Sequence, residues 1–151
     1  MSEDLRELLA SLTSSEARFL VIGAHAVGHY TRPRLTEDVD LWLGRDRSNV
    51  DRLANVLDRF GAPIGQAGAS AFAEKERQMI RLGRPPNMVD LLNFAGDSPF
   101  DEVWERRVSG LLEGLPVFFP SLEDLLAMKR VAGRPQDLAD LDRLERARRL
   151  L

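Results

Sequence analysis

Residues 19–43 read FLVIGAHAVGHYTRPRLTEDVDLWL. The apolar run Phe19–Ile22 stops at Gly23. A segment of small residues follows to Tyr30, then a basic loop with Arg32, Pro33 and Arg34. In the closing part Val39, Leu41 and Leu43 alternate with Asp38, Asp40 and Trp42, which is the period of a β-strand. Alternate strand residues point to one side, so the carboxylates of Asp38 and Asp40 lie side by side with Cα atoms about 6.6 Å apart. Two acids aimed at one point repel unless a cation or a proton lies between them. The pair alone leaves two readings open: a site for a divalent ion such as Mg²⁺, or an edge strand with a solvated acidic face. A glycine that ends a strand and opens a helix, as Gly23 does, lets backbone N–H groups approach a phosphate, which favours the first.

Composition bounds the class. A chain of 151 residues with 44% apolar and 30% charged residues is expected to form one soluble domain over 1–151. Its core is expected over about 17–95, with a ribbon and helices over about 98–151. No apolar run approaches the roughly 20 residues of a membrane helix, and the acidic start Met1-Ser2-Glu3-Asp4 is unlike a signal peptide. With no cysteine, disulfides and thiolate metal sites are excluded and a cytoplasmic location is expected. A net charge of −3 argues against nucleic-acid binding by the whole surface. Arg32, Arg34, Arg45 and Arg47 bracket the acidic strand, either as a rim that steers polyphosphate or as ordinary loop arginines.

Elsewhere the periodicities predict an amphipathic helix from Ser2 to about Ser14, a short helix from Ala24 to Tyr30, and a helix to Phe60 capped by Ser48 and Asp51. Residues 61–73 (GAPIGQAGASAFA) read as a flexible loop with at most a helical turn near Phe72. A hairpin is expected from Gln78–Leu82 and Met88–Phe94, with 83–87 as its turn. Asp90 falls inside the apolar run Met88-Val89-Asp90-Leu91-Leu92, where a lone carboxylate is costly; a shared metal or an arginine partner would compensate it. A short helix over 98–108, a ribbon over 107–119 and two helices then close the chain. Ser121 caps the first of these, and Gly133 and Pro135 separate them. Strand, helix, strand and helix in succession predict an α/β (α+β) fold, a small mixed sheet packed with helices. His25 and His29 stand four residues apart on one helix face, without the glutamate of a zinc-protease pattern.

Two stretches carry a resemblance. Gly23-Ala24-His25-Ala26 with Arg34-Leu35-Thr36-Glu37-Asp38-Val39-Asp40, and the later Asp124-Leu125 … Lys129 … Arg134-Pro135-Gln136-Asp137-Leu138-Ala139-Asp140, are similar to motifs of the nucleotidyltransferase superfamily related to DNA polymerase β. The closest resemblance is to its minimal members, including the toxins of abortive-infection toxin–antitoxin systems. It spans roughly residues 17–144 and implies a nucleotidyltransferase-like core with a C-terminal helical pair. It also implies catalytic and metal-ligating roles for Asp38, Asp40 and Asp90 toward Mg²⁺ or Mn²⁺. Gly23, Ala24, His25, Arg34, Thr36 and Lys129 would line the site of a nucleoside triphosphate such as ATP, Lys129 either at the triphosphate or in an ion pair with Asp137. Ala24 departs from the usual Gly or Ser, and Gln136 from the usual Lys.

The activity implied is transfer of a nucleoside monophosphate to an RNA, a protein or a small molecule, with a cognate antitoxin or toxin as partner and no membrane. The alternative is a catalytically inactive module of the same fold that binds a partner protein or nucleic acid.

Overall fold

The structure, a computed structural model, describes residues 1–33 and 38–150. In chain order the elements are α1 (Glu3–Ser14), β1 (Phe19–Ile22), α2 (Ala24–Tyr30), β2 (Val39–Leu43), α3 (Arg47–Arg59), α4 (Gly65–Glu74), β3 (Met79–Arg84), β4 (Asn87–Leu92), α5 (Phe100–Glu105), β5 (Val108–Leu112), β6 (Leu115–Phe119), α6 (Leu122–Ala132) and α7 (Pro135–Arg149). Strands β1, β2, β4 and β3 lie side by side in that order, with β5 and β6 as a separate ribbon. The β2–β4 pair is parallel and its two flanking pairs are antiparallel. The fold is thus the mixed-sheet α/β arrangement expected.

The two faces of the sheet do different things because side chains alternate along each strand. Phe19 and Val21 of β1, Val39, Leu41 and Leu43 of β2, and Val89 and Leu91 of β4 share one face. They enter the main core with Leu5, Leu9 and Leu12 of α1, Val50, Leu53 and Leu57 of α3, and Leu125 and Leu126 of α6. Leu20 and Trp42 point the other way and form a second cluster with Val103, roofed by Phe100, Trp104, Phe118 and Met128. Trp42 meets Phe100 edge-on, with ring centroids 5.2 Å apart. Asp40, two residues before Trp42 on the same face, is half-buried, so strand β2 leaves its dry cover at that residue.

Three expectations are corrected. Residues 65–74 form helix α4 rather than a loop, because Ala69 and Phe72, three apart, both bury against the core. Helix α3 is capped by Asp46, which accepts the Asn49 N–H, and not by Ser48; Asp51 instead pairs with Arg47 at 3.0 Å. The hairpin is tighter than a five-residue turn: β3 and β4 stay paired up to Arg84 and Asn87.

Asn49 ties the sheet to α3. Fully buried, it accepts from the Arg18 N–H (2.7 Å) and donates to the carbonyls of Arg18 (3.0 Å) and Gly44 (2.7 Å). Asn49→Ala leaves these buried backbone groups without partners and is expected to destabilise the fold by about 3 kcal/mol, read from urea unfolding.

Candidate active site

Register brings the acids together. Asp40 pairs with Ile22 across β1–β2 and with Asp90 across β2–β4, and Asp90 pairs with Arg81 across β3–β4. Ile22, Asp40, Asp90 and Arg81 therefore form one row across all four strands. Adjacent strands are about 4.8 Å apart, so the two carboxylates of the row are neighbours. Arg81 grips Asp90 with a two-pronged ion pair, Nε to Oδ1 at 2.8 Å and Nη2 to Oδ2 at 3.1 Å. Asp38, exposed just before β2, adds a third negative charge felt at Asp40.

Gly23 closes the site on the other side. Its φ of 71° and ψ of −149° lie in a region essentially confined to glycine. A Cβ at this position would stand 2.5 Å from Asp40 Oδ2. The missing side chain is what lets the Asp40 carboxylate lie against the turn into α2. Ala24 is the first residue of α2. His25, one step on, is half-buried; its Nε2 is buried with no hydrogen-bond partner among the described residues. A backbone hydrogen bond with Asp38 links this imidazole to the acidic strand, and burial holds its pKa below the ordinary value.

The electrostatics follow from this packing. Burial, reinforced by Asp90 and then Asp38, pushes the Asp40 carboxyl up to about 6; Arg81 and Lys129 pull the other way. Lys129 belongs to an ion-pair knot between the last two helices, with Nζ 3.2 Å from both Asp137 Oδ1 and Asp140 Oδ2. Arg134 and Arg143 hold the other oxygens of those acids at 2.6 Å. Of the two readings left open for Lys129, the side chain makes the ion pair, while its charge still reaches Asp40.

Some expected residues stand elsewhere. Arg45 and Arg47 follow the far end of β2 and fasten α4, Arg45 to the Ala73 carbonyl (3.1 Å) and Arg47 to Ser70 Oγ (3.0 Å); they are staples, not a rim around the acids. His29 stacks on Phe119 with ring centroids 4.2 Å apart. Arg34 and Thr36 lie outside the described residues. Arg81 was not foreseen by residue number, although its signal is the hairpin itself, whose register dictates what faces Asp90.

Carboxylate oxygens are the donors a hard divalent ion takes, and the row with Asp38 offers three carboxylates, one of them with a pKa raised first by burial and then by its acidic neighbours. In the conformation described, no group of three or more His, Asp or Glu side chains among the described residues is gathered around a single ion position. Both oxygens of Asp90 face Arg81 instead.

Two predictions follow from Gly23 and Asp40. Gly23→Ala combines a forbidden backbone conformation with a clash against Asp40, and is expected to cost about 2 kcal/mol or more in thermal or urea unfolding. An aspartate whose pKa is higher folded than unfolded holds its proton more tightly in the folded state, so its penalty is absent below about pH 4 and full above about pH 6. The shift corresponds to about 3 kcal/mol in full, and solvent access at the cleft reduces it to about 1–2 kcal/mol. Asp40→Asn should therefore equal the parent in stability near pH 4 and exceed it by that amount at pH 7.

No curated protein sequence is significantly similar to the chain. The fold is similar to that of ANT(2'')-Ia, solved in complex with adenylyl-2''-tobramycin: TM-score 0.55 at 15% identity, covering 93% of this chain and 84% of the other. Residues 6–150 match the family described as nucleotidyl transferase AbiEii toxin, type IV TA system. The chain belongs to the AbiEii family of nucleotidyltransferase toxins.

Proposed function

We propose that this chain is a divalent-metal-dependent nucleotidyltransferase acting within a toxin–antitoxin system, with a cognate antitoxin as its partner. The observation that carries the reading is the Asp40–Asp90 pair at matched register beside a turn that only glycine can make. A hydroxyl oxygen of the acceptor, giving its proton to one of the site carboxylates, attacks the α-phosphorus of a nucleoside triphosphate. The new O–P bond forms as the bond to the bridging oxygen breaks, and pyrophosphate leaves. Asp38, Asp40 and Asp90 would hold Mg²⁺ or Mn²⁺, which supplies activation of the hydroxyl and neutralisation of the leaving group. Gly23 places no side chain against Asp40, so phosphates can approach the backbone at the turn into α2. His25, beside the acidic strand, carries a buried nitrogen with no partner among the described residues.

The acceptor class divides into an RNA end, a protein side chain and a small molecule. ANT(2'')-Ia, which shares the fold, binds a small molecule bearing an adenylyl group. A second reading, a catalytically inactive module that binds a partner protein or nucleic acid, draws on Ala24 and on the Arg81–Asp90 pair that occupies the third acid.

Asp40→Asn separates the readings, since it keeps the shape of the side chain and removes its charge. Incubated with Mn²⁺ and each labelled triphosphate, the parent chain should label an acceptor from a cell extract or itself. The variant should do so at least about 100-fold more slowly, the size of a lost charge interaction of several kcal/mol in the transition state. Equal labelling by both chains refutes the assignment of Asp40. No labelling by the parent, together with no thermal shift from any triphosphate with Mn²⁺, favours the binding module.

A further inference from the structure

Arg81 makes the direct charge contact with the third acid of the row. It lies on β3, an edge strand of the sheet, and its side chain is 52% exposed while that of Asp90 is 13% exposed. Each Asp90 oxygen already accepts one guanidinium N–H. A divalent ion brought to those oxygens would meet a fixed positive charge. Among the described residues the other cation acting on Asp40 is Lys129, which is 14% exposed and pinned between two buried carboxylates. Only Arg81 of these two can swing into solvent without breaking a buried network. A planar guanidinium fork fits a phosphate as well as it fits a carboxylate.

We propose that Arg81 is a displaceable latch on the third acid: it holds Asp90 in place of a divalent ion, releases it when the ion and a triphosphate enter together, and then turns its fork to the phosphates. The latch rests on the transferase reading above. It gives the chain a reason to bind metal poorly without nucleotide, and it makes Arg81 a positioning residue for both.

The test is calorimetry on the parent, Arg81→Gln and Asp40→Asn, titrated with Mn²⁺ alone and with preformed magnesium tripolyphosphate, which carries no base. Removing the competing charge should tighten Mn²⁺ binding by Arg81→Gln about tenfold or more, and removing the fork should weaken its tripolyphosphate binding about tenfold. A merely structural arginine would not move the two affinities in opposite directions. Arg81→Lys, which keeps the charge but not the fork, should shift both in the same senses by less; if only this variant folds, an absence of either shift overturns the proposal. Equal Mn²⁺ affinity in parent and Arg81→Gln, with binding lost in Asp40→Asn, overturns the latch and leaves the metal reading standing. Mn²⁺ bound by neither parent nor Arg81→Gln overturns both.

Discussion

Two carboxylates at matched positions on adjacent parallel strands repel, and most of the site can be understood as the handling of that repulsion. At an inter-strand spacing of about 4.8 Å and an effective dielectric constant near 20, two unit charges oppose each other by about 3 kcal/mol. The fold cannot separate Asp40 from Asp90, because the register that pairs them also pairs Leu41 with Leu91 and Val39 with Val89, and these side chains build the main core. A slip of one residue would turn that core into the cleft. The charge is handled locally instead: Asp90 is matched by Arg81, and Asp40 takes up part of the strain as a raised pKa.

Strand β2 shows how a single strand can serve both a core and a site. On the core face Val39, Leu41 and Leu43 are buried without interruption. On the other face the cover formed by Phe100, Trp104, Phe118 and Met128 reaches Trp42 and stops short of Asp40. Arginines are stacked into the same cover: Arg107 lies 4.0 Å from the Trp104 ring centroid and 4.6 Å from that of Phe118. Burying Trp42 fixes the strand rigidly one pleat away from the acids, which sets the position of Asp40 more firmly than an open edge strand would.

The acids were legible because their signal is local. Alternation around Asp38 and Asp40, a glycine that stops an apolar run, and a carboxylate in the middle of an apolar strand all read directly from neighbouring residues. What was illegible depended on register or on distant packing. Sequence left Asp90 with either a metal or an arginine as its partner. The choice of Arg81 follows only when β3 and β4 are known to pair through Arg84 and Asn87, which sets residues three further along each strand opposite each other. Helix α4 escaped because its glycines offset the helix propensity of its alanines, and it is held by Phe72 and by contacts from Asn93, Arg45 and Arg47 that lie far away in the chain. The cap of α3 was placed two residues late because Ser48 also satisfies the capping pattern, but Asp46 is the residue whose oxygen meets an N–H, and it is further fixed by Arg18.

The C-terminal helices belong to the electrostatics of the site even though their residues stand away from the acidic row. Asp137 and Asp140 are each 1% exposed, and buried carboxylates persist only when partnered. Lys129, Arg134 and Arg143 supply that partnership, with Arg134 holding the Asp137 carboxyl below its ordinary pKa. Lys129 is therefore held in position, and its positive charge acts on Asp40. Arg81, by contrast, carries an exposed side chain on β3. The acidic row thus feels one cation locked by the packing of α6 on α7 and one carried by an exposed side chain on an edge strand, so a change at the second leaves the buried ion-pair knot intact.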